Sequence, residues 1–138
     1  MMQEHWPNEM KIAQIRIARP TNQLSKVVSF YCEGLGLKKI GSFEGHAGYD
    51  GVMIGLPGFD YHLEFTQHAD GSPCPAPTKD NLLVFYLPDT EAIQKITNRL
   101  NAMGYASVPP ENPYWNELGT TIEDPDGWRI VLMNSNGI

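Results

Sequence analysis

The sequence has little of several features that define whole classes of protein. Its 138 residues include only two cysteines, Cys32 and Cys74, and these do not form a CxxC pair. A disulfide framework and a thiolate metal site are therefore not predicted, and a reducing, cytoplasmic location is expected. The chain also has no apolar run long enough to cross a bilayer, and its first ten residues lack the apolar segment of a secretory signal. We expect no association with a membrane.

Positive charge is scarce as well. Lys and Arg number 10 against 16 Asp and Glu, which gives a formal charge of −6, and the basic residues are scattered along the chain. This distribution excludes the basic patch of a typical nucleic-acid-binding protein, whereas it is compatible with a cationic small-molecule ligand. The 13 glycines form neither a P-loop nor a GxGxxG pattern, so a nucleotide site is not predicted.

The chain does contain a repeated order of predicted elements. One strand, one helix and three further strands occur in this order twice. Alternating apolar residues predict strands, apolar residues at 3.6-residue spacing predict helices, and Gly or Pro marks the ends. The first set is predicted as strand 14–18, a helix that starts after Thr21 or Asn22 and ends at Gly34 or Gly36, and strands 37–43, 48–56 and 61–67. The second set is predicted as strand 81–87, a helix from Asp89 or Thr90 to Gly104, and strands near 105–108, 118–123 and 128–133.

This repetition predicts an α+β fold made of two tandem βαβββ modules. Residues 1–10 are expected to be a flexible leader, and residues 11–138 a single domain composed of module 11–67, linker 68–80 and module 81–134. A long unit that occurs only twice indicates an internal duplication. A helix on one face of each sheet would leave the other faces to form a shared, curved cleft.

Three motifs indicate a family. They are Phe30 to Leu37, Tyr61 to Phe65, and the turn and strand from Asp124 to Leu132. In this order, and with the duplication, they resemble the glyoxalase/bleomycin-resistance/extradiol-dioxygenase superfamily, which has the vicinal oxygen chelate (VOC) fold. The resemblance covers about residues 12–134 and implies a homodimer.

The resemblance also implies where a metal would be held. The family's enzymes use a His on the first strand and a Glu on the last strand of each module, and these four positions correspond here to Arg16, Glu64, Leu82 and Val131. A guanidinium does not ligate metals, and Leu and Val have no lone pairs. Because even an open zinc site uses three protein ligands, we expect no metal cofactor. A divalent ion on His62 and Glu64, with His68 nearby, is the less favoured alternative.

The predicted site lies on the cleft face of both modules. Arg16 is expected to pair with Glu64, and His62 shares the face of Glu64 because it is two residues away on the same strand. On the second module, Arg129 is either a clamp for an anionic group or a solvated charge at the end of a strand. The ligand-binding residues predicted in this way are Arg16, His62, Glu64, Val84, Tyr86, Arg129 and Val131.

Two functions from different classes remain open. The chain is predicted to bind a small molecule in the cleft between the modules without a metal, since apolar residues replace two of the four ligands and an apolar lining is usual in ligand sites. The alternative is a VOC enzyme of the glyoxalase (lyase), isomerase or dioxygenase type. That enzyme would use Glu64 as its catalytic residue, with His62 as a second base or as part of a residual metal site.

Overall fold

A computed structural model of the chain describes residues 9–56 and 58–138. Most of the predicted leader, residues 1–8, lies outside the described residues. None of the described helices is both long enough and apolar enough to span a membrane.

The first module contains one strand, a helical segment and three further strands. Strand β1 is Ile15–Pro20, helix α1 is Leu24–Ser29, and one π-helical turn, Phe30–Gly34, continues from α1. Strands β2, β3 and β4 are Lys38–His46, Tyr49–Gly55 and Tyr61–His68. Their order in the sheet is β1-β4-β3-β2, with β1 parallel to β4 and the other pairs antiparallel.

The second module repeats this arrangement. Strand β5 is Leu82–Tyr86, helix α2 is Thr90–Ala102, and strands β6, β7 and β8 are Ser107–Val108, Gly119–Glu123 and Arg129–Met133. A single 3₁₀ turn, Pro113–Trp115, lies in the loop between β6 and β7. The sheet order is β5-β8-β7-β6, again with one parallel pair, β5 and β8. The predicted α+β fold of two βαβββ modules is confirmed.

Local signals account for most element boundaries. The Asp89 side chain caps α2 by accepting a hydrogen bond from the backbone N–H of Glu91, and Gly104, with φ +99°, allows the chain to leave the helix. The cap predicted for the first helix is wrong. Gln23 is the N-cap, and Thr21 Oγ1 instead accepts from the Gln23 backbone in a short turn. Strand β2 runs three residues beyond its predicted end because it forms a long hairpin with β3.

One hydrophobic core joins the two modules. The helix-facing residues of both sheets pack together with the two helical segments, so the core includes Phe30, Leu63 and Phe65 from the first module and Leu100, Ile130 and Leu132 from the second. The helical segments also touch directly, because Arg99 Nε donates to the carbonyl oxygen of Gly34 at 2.8 Å. Strands β1 and β5 are each at one edge of their sheet, and the cavities described below lie between the modules beside them.

Candidate functional site

Three of the predicted site residues meet on the first sheet. Register pairs Arg16 with His62 and Ala18 with Glu64, so the side chains of Arg16, His62 and Glu64 lie on the face away from the helix. Arg16 Nε donates to His62 Nε2 at 2.8 Å, and Arg16 Nη1 donates to Glu64 Oε2 at 3.1 Å. The predicted Arg16–Glu64 ion pair is therefore present. Sequence reasoning did not anticipate that the same guanidinium also holds His62.

The donor atoms of this cluster do not fit a divalent metal ion. Because a guanidinium only donates, His62 Nε2 must be the acceptor in its bond with Arg16. The lone pairs of His62 Nε2 and Glu64 Oε2 are thus both directed at a cation that the chain itself supplies. His68, the third ligand considered, instead uses Nδ1 to accept from the Asp70 backbone. Within residues 9–56 and 58–138, no group of three or more His, Cys, Asp and Glu side chains is placed to hold a metal.

Arg129 and Val131, two predicted site residues on the second sheet, are both buried. Arg129 is only 5% exposed, and its Nε donates to Glu123 Oε2 while Nη1 donates to the Pro109 carbonyl oxygen, both at 3.0 Å. The prediction of a solvated strand-end charge is therefore wrong, because Glu123 and Pro109 supply the partners that water would otherwise provide. Val131 has no exposed surface, so it packs inside the protein and does not line an open cleft.

An apolar cavity of about 400 Å³ lies between the modules. Val84 and Tyr86, two of the predicted ligand-binding residues, line it from β5. Tyr86 is 44% exposed at this position. The remaining lining is almost wholly apolar and comes from both modules, including Leu35, Leu37, Leu56, Phe59, Tyr61, Ile96 and Leu132. Arg16, His62 and Glu64 are not part of this lining, and neither are Arg129 and Val131, so the predicted site residues do not form a single site.

Comparison with known proteins identifies the family. Profiles of the YycE-like N-terminal domain and the YycE-like C-terminal domain match residues 15–66 and 80–134. The chain is 60% identical over 131 residues to the uncharacterised protein YycE of Bacillus subtilis (strain 168), and the match covers 95% of this chain and 94% of that protein. The chain belongs to the YycE-like family.

Solved structures place this YycE-like chain in the VOC superfamily. The crystal structure of Bacillus subtilis YycE, a protein of unknown function assigned provisionally to the glyoxalase/fosfomycin resistance proteins, matches with a TM-score of 0.90, 60% identity and coverage of 95% of this chain and 96% of that chain. Leishmania major glyoxalase I matches with a TM-score of 0.69 at 16% identity, covering 90% and 86% of the two chains. TnmS3, an antibiotic binding protein from Streptomyces sp. CB03234, matches with a TM-score of 0.64 at 24% identity, covering 90% and 97%. The last two similarities concern the fold alone.

The YycE-like chain also contains a buried polar network that was not predicted from its sequence. Arg19 on β1 forms ion pairs with Asp124 and Asp126 in the turn before β8, and the Asp124 side chain has no exposed surface. The Tyr31 hydroxyl donates to Asp124 Oδ2 at 2.7 Å, and Gln23 Nε2 donates to Asp126 Oδ1 at 2.7 Å. One signal was available, because alternation places Arg19 on the apolar face of Ile15 and Ile17, where a charge needs a buried partner.

This network has a clear effect on protonation. Burial raises the pKa of Asp124, while Arg19 and hydrogen bonds from Tyr31 and from the backbone of Asp126 and Trp128 act in the opposite direction. Burial, reinforced by the charge of Asp124, raises the pKa of Tyr31 well above its usual value. Tyr31 therefore remains a neutral hydrogen-bond donor at neutral pH. Outside the network, burial also raises the pKa of the Cys32 thiol, which makes a reactive thiolate less favourable.

Proposed function

We propose that this YycE-like protein binds a small organic molecule in the crevice between its two modules and does so without a metal. The observation that carries the proposal is the apolar cavity of about 400 Å³ lined by Val84, Tyr86 and residues of the first module. Its volume lies in the range of natural ligand pockets, roughly 300–1,000 Å³, and its apolar lining is typical of them. TnmS3, which shares the fold, is an antibiotic binding protein.

The Arg16 cluster supports a binding role over catalysis. A general base needs a free lone pair within reach of the proton that it removes. The Glu64 and His62 atoms nearest to Arg16 are already engaged by its guanidinium. In the enzyme alternative, with Glu64 as base, only Oε1, the oxygen that Arg16 does not engage, would be left to accept a proton. We assign Glu64 and His62 the role of positioning Arg16, which both of them contact.

The apolar cavity can be tested with a neutral fluorescent probe. N-phenyl-1-naphthylamine brightens in apolar surroundings, so we expect saturable fluorescence with the wild-type protein. Val84→Trp places a large side chain in the cavity wall. We expect it to lower the affinity for the probe roughly tenfold or more, which corresponds to a loss of about 1.4 kcal/mol of binding free energy. Titration of the probe at fixed protein concentration measures the change.

A matched control uses the same substitution elsewhere. Val108 is also partly buried, but it lies on β6 at the far edge of the second sheet and does not line the cavity. Val108→Trp should leave the probe affinity unchanged. Equal affinity in the wild type and in Val84→Trp would show that the probe binds elsewhere, and the proposed cavity would then be wrong.

The metal-free character can be tested by Arg16→His. This change removes the guanidinium and adds a third nitrogen or oxygen ligand next to His62 and Glu64. Because three protein ligands suffice for an open zinc site, we expect the variant to bind roughly one equivalent of Zn²⁺ or Ni²⁺, as measured by calorimetry and by elemental analysis after dialysis.

The wild-type protein is expected to retain no stoichiometric metal after the same treatment. Arg16→Met serves as the control, because it removes the cation without adding a ligand and should bind the ion at least about tenfold more weakly than Arg16→His. Stoichiometric metal in the wild type would contradict the metal-free proposal. The absence of metal from Arg16→His would show that the three side chains cannot converge on an ion.

A homodimer in the cytoplasm remains part of the proposal. Ile15 and Ile17 on the edge strand β1 are 49% and 52% exposed, and an open apolar edge strand favours pairing with another chain. Sedimentation of the purified protein tests the dimer.

A further inference from the structure

A second cavity, of about 240 Å³, lies between β1 and β5 and shares no lining residue with the apolar cavity described above. Its walls combine apolar side chains with hydrogen-bond donors. The apolar part includes Ile17, Leu63, Leu82 and Leu83, and the polar part consists of Arg19, Tyr31, Asn81, Trp128 and Arg129. The lining contains two arginines and no acidic residue, although the chain as a whole carries a formal charge of −6.

Arg129 is the best-placed recognition group in this cavity. Two of its nitrogens are held, Nε by Glu123 and Nη1 by the Pro109 carbonyl, and these bonds fix the plane of the guanidinium. Nη2 makes no hydrogen bond to any residue that the structure describes. A guanidinium presents its donors as a rigid fork that matches a carboxylate. Arg129 is therefore oriented in advance, with donor capacity remaining.

Trp128 forms a rigid part of the same wall. Its Nε1–H has no hydrogen-bond partner among the described residues, but almost none of its surface is accessible to water, so we do not count it among the donors that face the cavity. The ring is held in place by Arg19, whose Cζ lies 5.0 Å from the Trp128 centroid and 4.8 Å from the Phe65 centroid.

The acidic residues of this region lie behind the arginines and not on the cavity wall. Asp124 and Asp126 bond Arg19, and Glu123 bonds Arg129. The Glu123 side chain is 37% exposed, so water screens its charge, whereas the Arg129 side chain is only 5% exposed. An anion in the cavity would meet the donors directly and the acids only through them. Its attraction then depends on short charge-assisted hydrogen bonds and not on net charge.

We propose that this second cavity is a binding site for a small organic carboxylate, with the carboxylate on Arg129 and the apolar body against Leu82 and Leu83. An inorganic anion fits the site less well, because most of the wall cannot hydrogen-bond it. The net charge of the whole chain, −6, favours a cationic ligand, but the hydrogen-bond donors on the wall of this cavity determine which group binds here.

Benzoate and benzamide are matched probes for this site, because they have the same ring and nearly the same size but only benzoate is charged. We expect benzoate to bind saturably to the full chain, with a rise in melting temperature and a change in tryptophan fluorescence. Benzamide should bind at least about tenfold more weakly, because it cannot form the charge-assisted pair with Arg129. Equal binding of the two probes, or binding of neither, would overturn the proposal.

Two substitutions locate the bound probe. Leu82→Trp fills the second cavity beside Arg129, its register partner, and should abolish benzoate binding, whereas Val84→Trp, which fills the first cavity, should leave benzoate binding intact. The reverse pattern would place benzoate in the first cavity and refute a separate carboxylate site. The N-phenyl-1-naphthylamine titration depends only on the first cavity, so failure of one proposal remains distinguishable from failure of the other.

Discussion

Arg19→Met is expected to destabilise the protein by about 3–5 kcal/mol, which is the usual effect of removing one partner of a buried ion pair. Arg19 holds Asp124, whose side chain has no exposed surface, and Asp126, whose side chain is 3% exposed. Methionine fills much of the same space but leaves two buried carboxylates without their cation. Chemical denaturation monitored by circular dichroism at neutral pH measures the change.

The same experiment has an internal control and a pH dependence. Arg16→Met is the same substitution three residues earlier on β1, but the Arg16 side chain is 49% exposed, so its pair with Glu64 should contribute about 1 kcal/mol or less, and loss of its bond to the buried His62 should add about 1 kcal/mol. Burial already raises the pKa of Asp124, and loss of Arg19 raises it further. The difference in the free energy of unfolding between the wild type and Arg19→Met should therefore shrink as the pH falls through the folded-state pKa of Asp124, because a protonated carboxyl group no longer needs a cation. Similar losses in both variants, or a deficit that grows in acid, would contradict this role.

The second large effect is expected where the helical segments of the two modules touch. Gly34 has no positive φ, so glycine is needed there for space and not for backbone conformation. A Cβ at this position would overlap Leu100 Cδ2, and Leu100 is fully buried. Leu100→Ala should cost about 2–5 kcal/mol through lost burial and the cavity that remains. Gly34→Ala should cost about 1–3 kcal/mol through overpacking.

The two changes are expected to compensate each other. In the double variant the new methyl group at position 34 occupies space vacated by the Leu100 side chain, so the total loss should be clearly smaller than the sum of the single losses. Ile93→Ala combined with Gly34→Ala is the control, because Ile93 lies on the same helix α2 but is not among the atoms that a Cβ at Gly34 would meet. The losses of stability caused by these two substitutions should add. Additivity in both pairs, measured by urea unfolding, would show that Gly34 and Leu100 do not form a shared packing contact.

Much of the fold was predictable because its signals are local. Strand alternation has a period of two and helix spacing a period of 3.6, so the order of elements and the face of each side chain can be worked out from neighbouring residues. Alternation alone placed Glu64 and His62 on one face, and the parallel pairing of β1 with β4 then brought Arg16 beside them. Element boundaries were less exact where they depend on a partner strand, as in the β2–β3 hairpin.

For the candidate site as well, the local pattern predicts which face a side chain is on but not whether that face is covered. From the sequence alone, Val131 and Arg129 are on the face opposite Ile130 and Leu132, and the structure agrees with that alternation. Whether such a face is open or covered depends on what the rest of the chain places over it. Val131 is fully buried, and Arg129 is enclosed by Glu123 and Pro109. Sequence periodicity contains no information on this covering, because it comes from residues distant along the chain.

By itself the sequence determined the duplication, the α+β class and the VOC resemblance, since each of these depends on residue identity and local spacing. Only the tertiary structure decided that one guanidinium holds both His62 and Glu64, that Arg19 meets Asp124 across 105 residues of chain, and that the apolar cavity and the cavity beside Arg129 have separate linings. These features arise where the two modules pack against each other or where distant strands pair. Their energies depend on distance and burial, which no local pattern specifies.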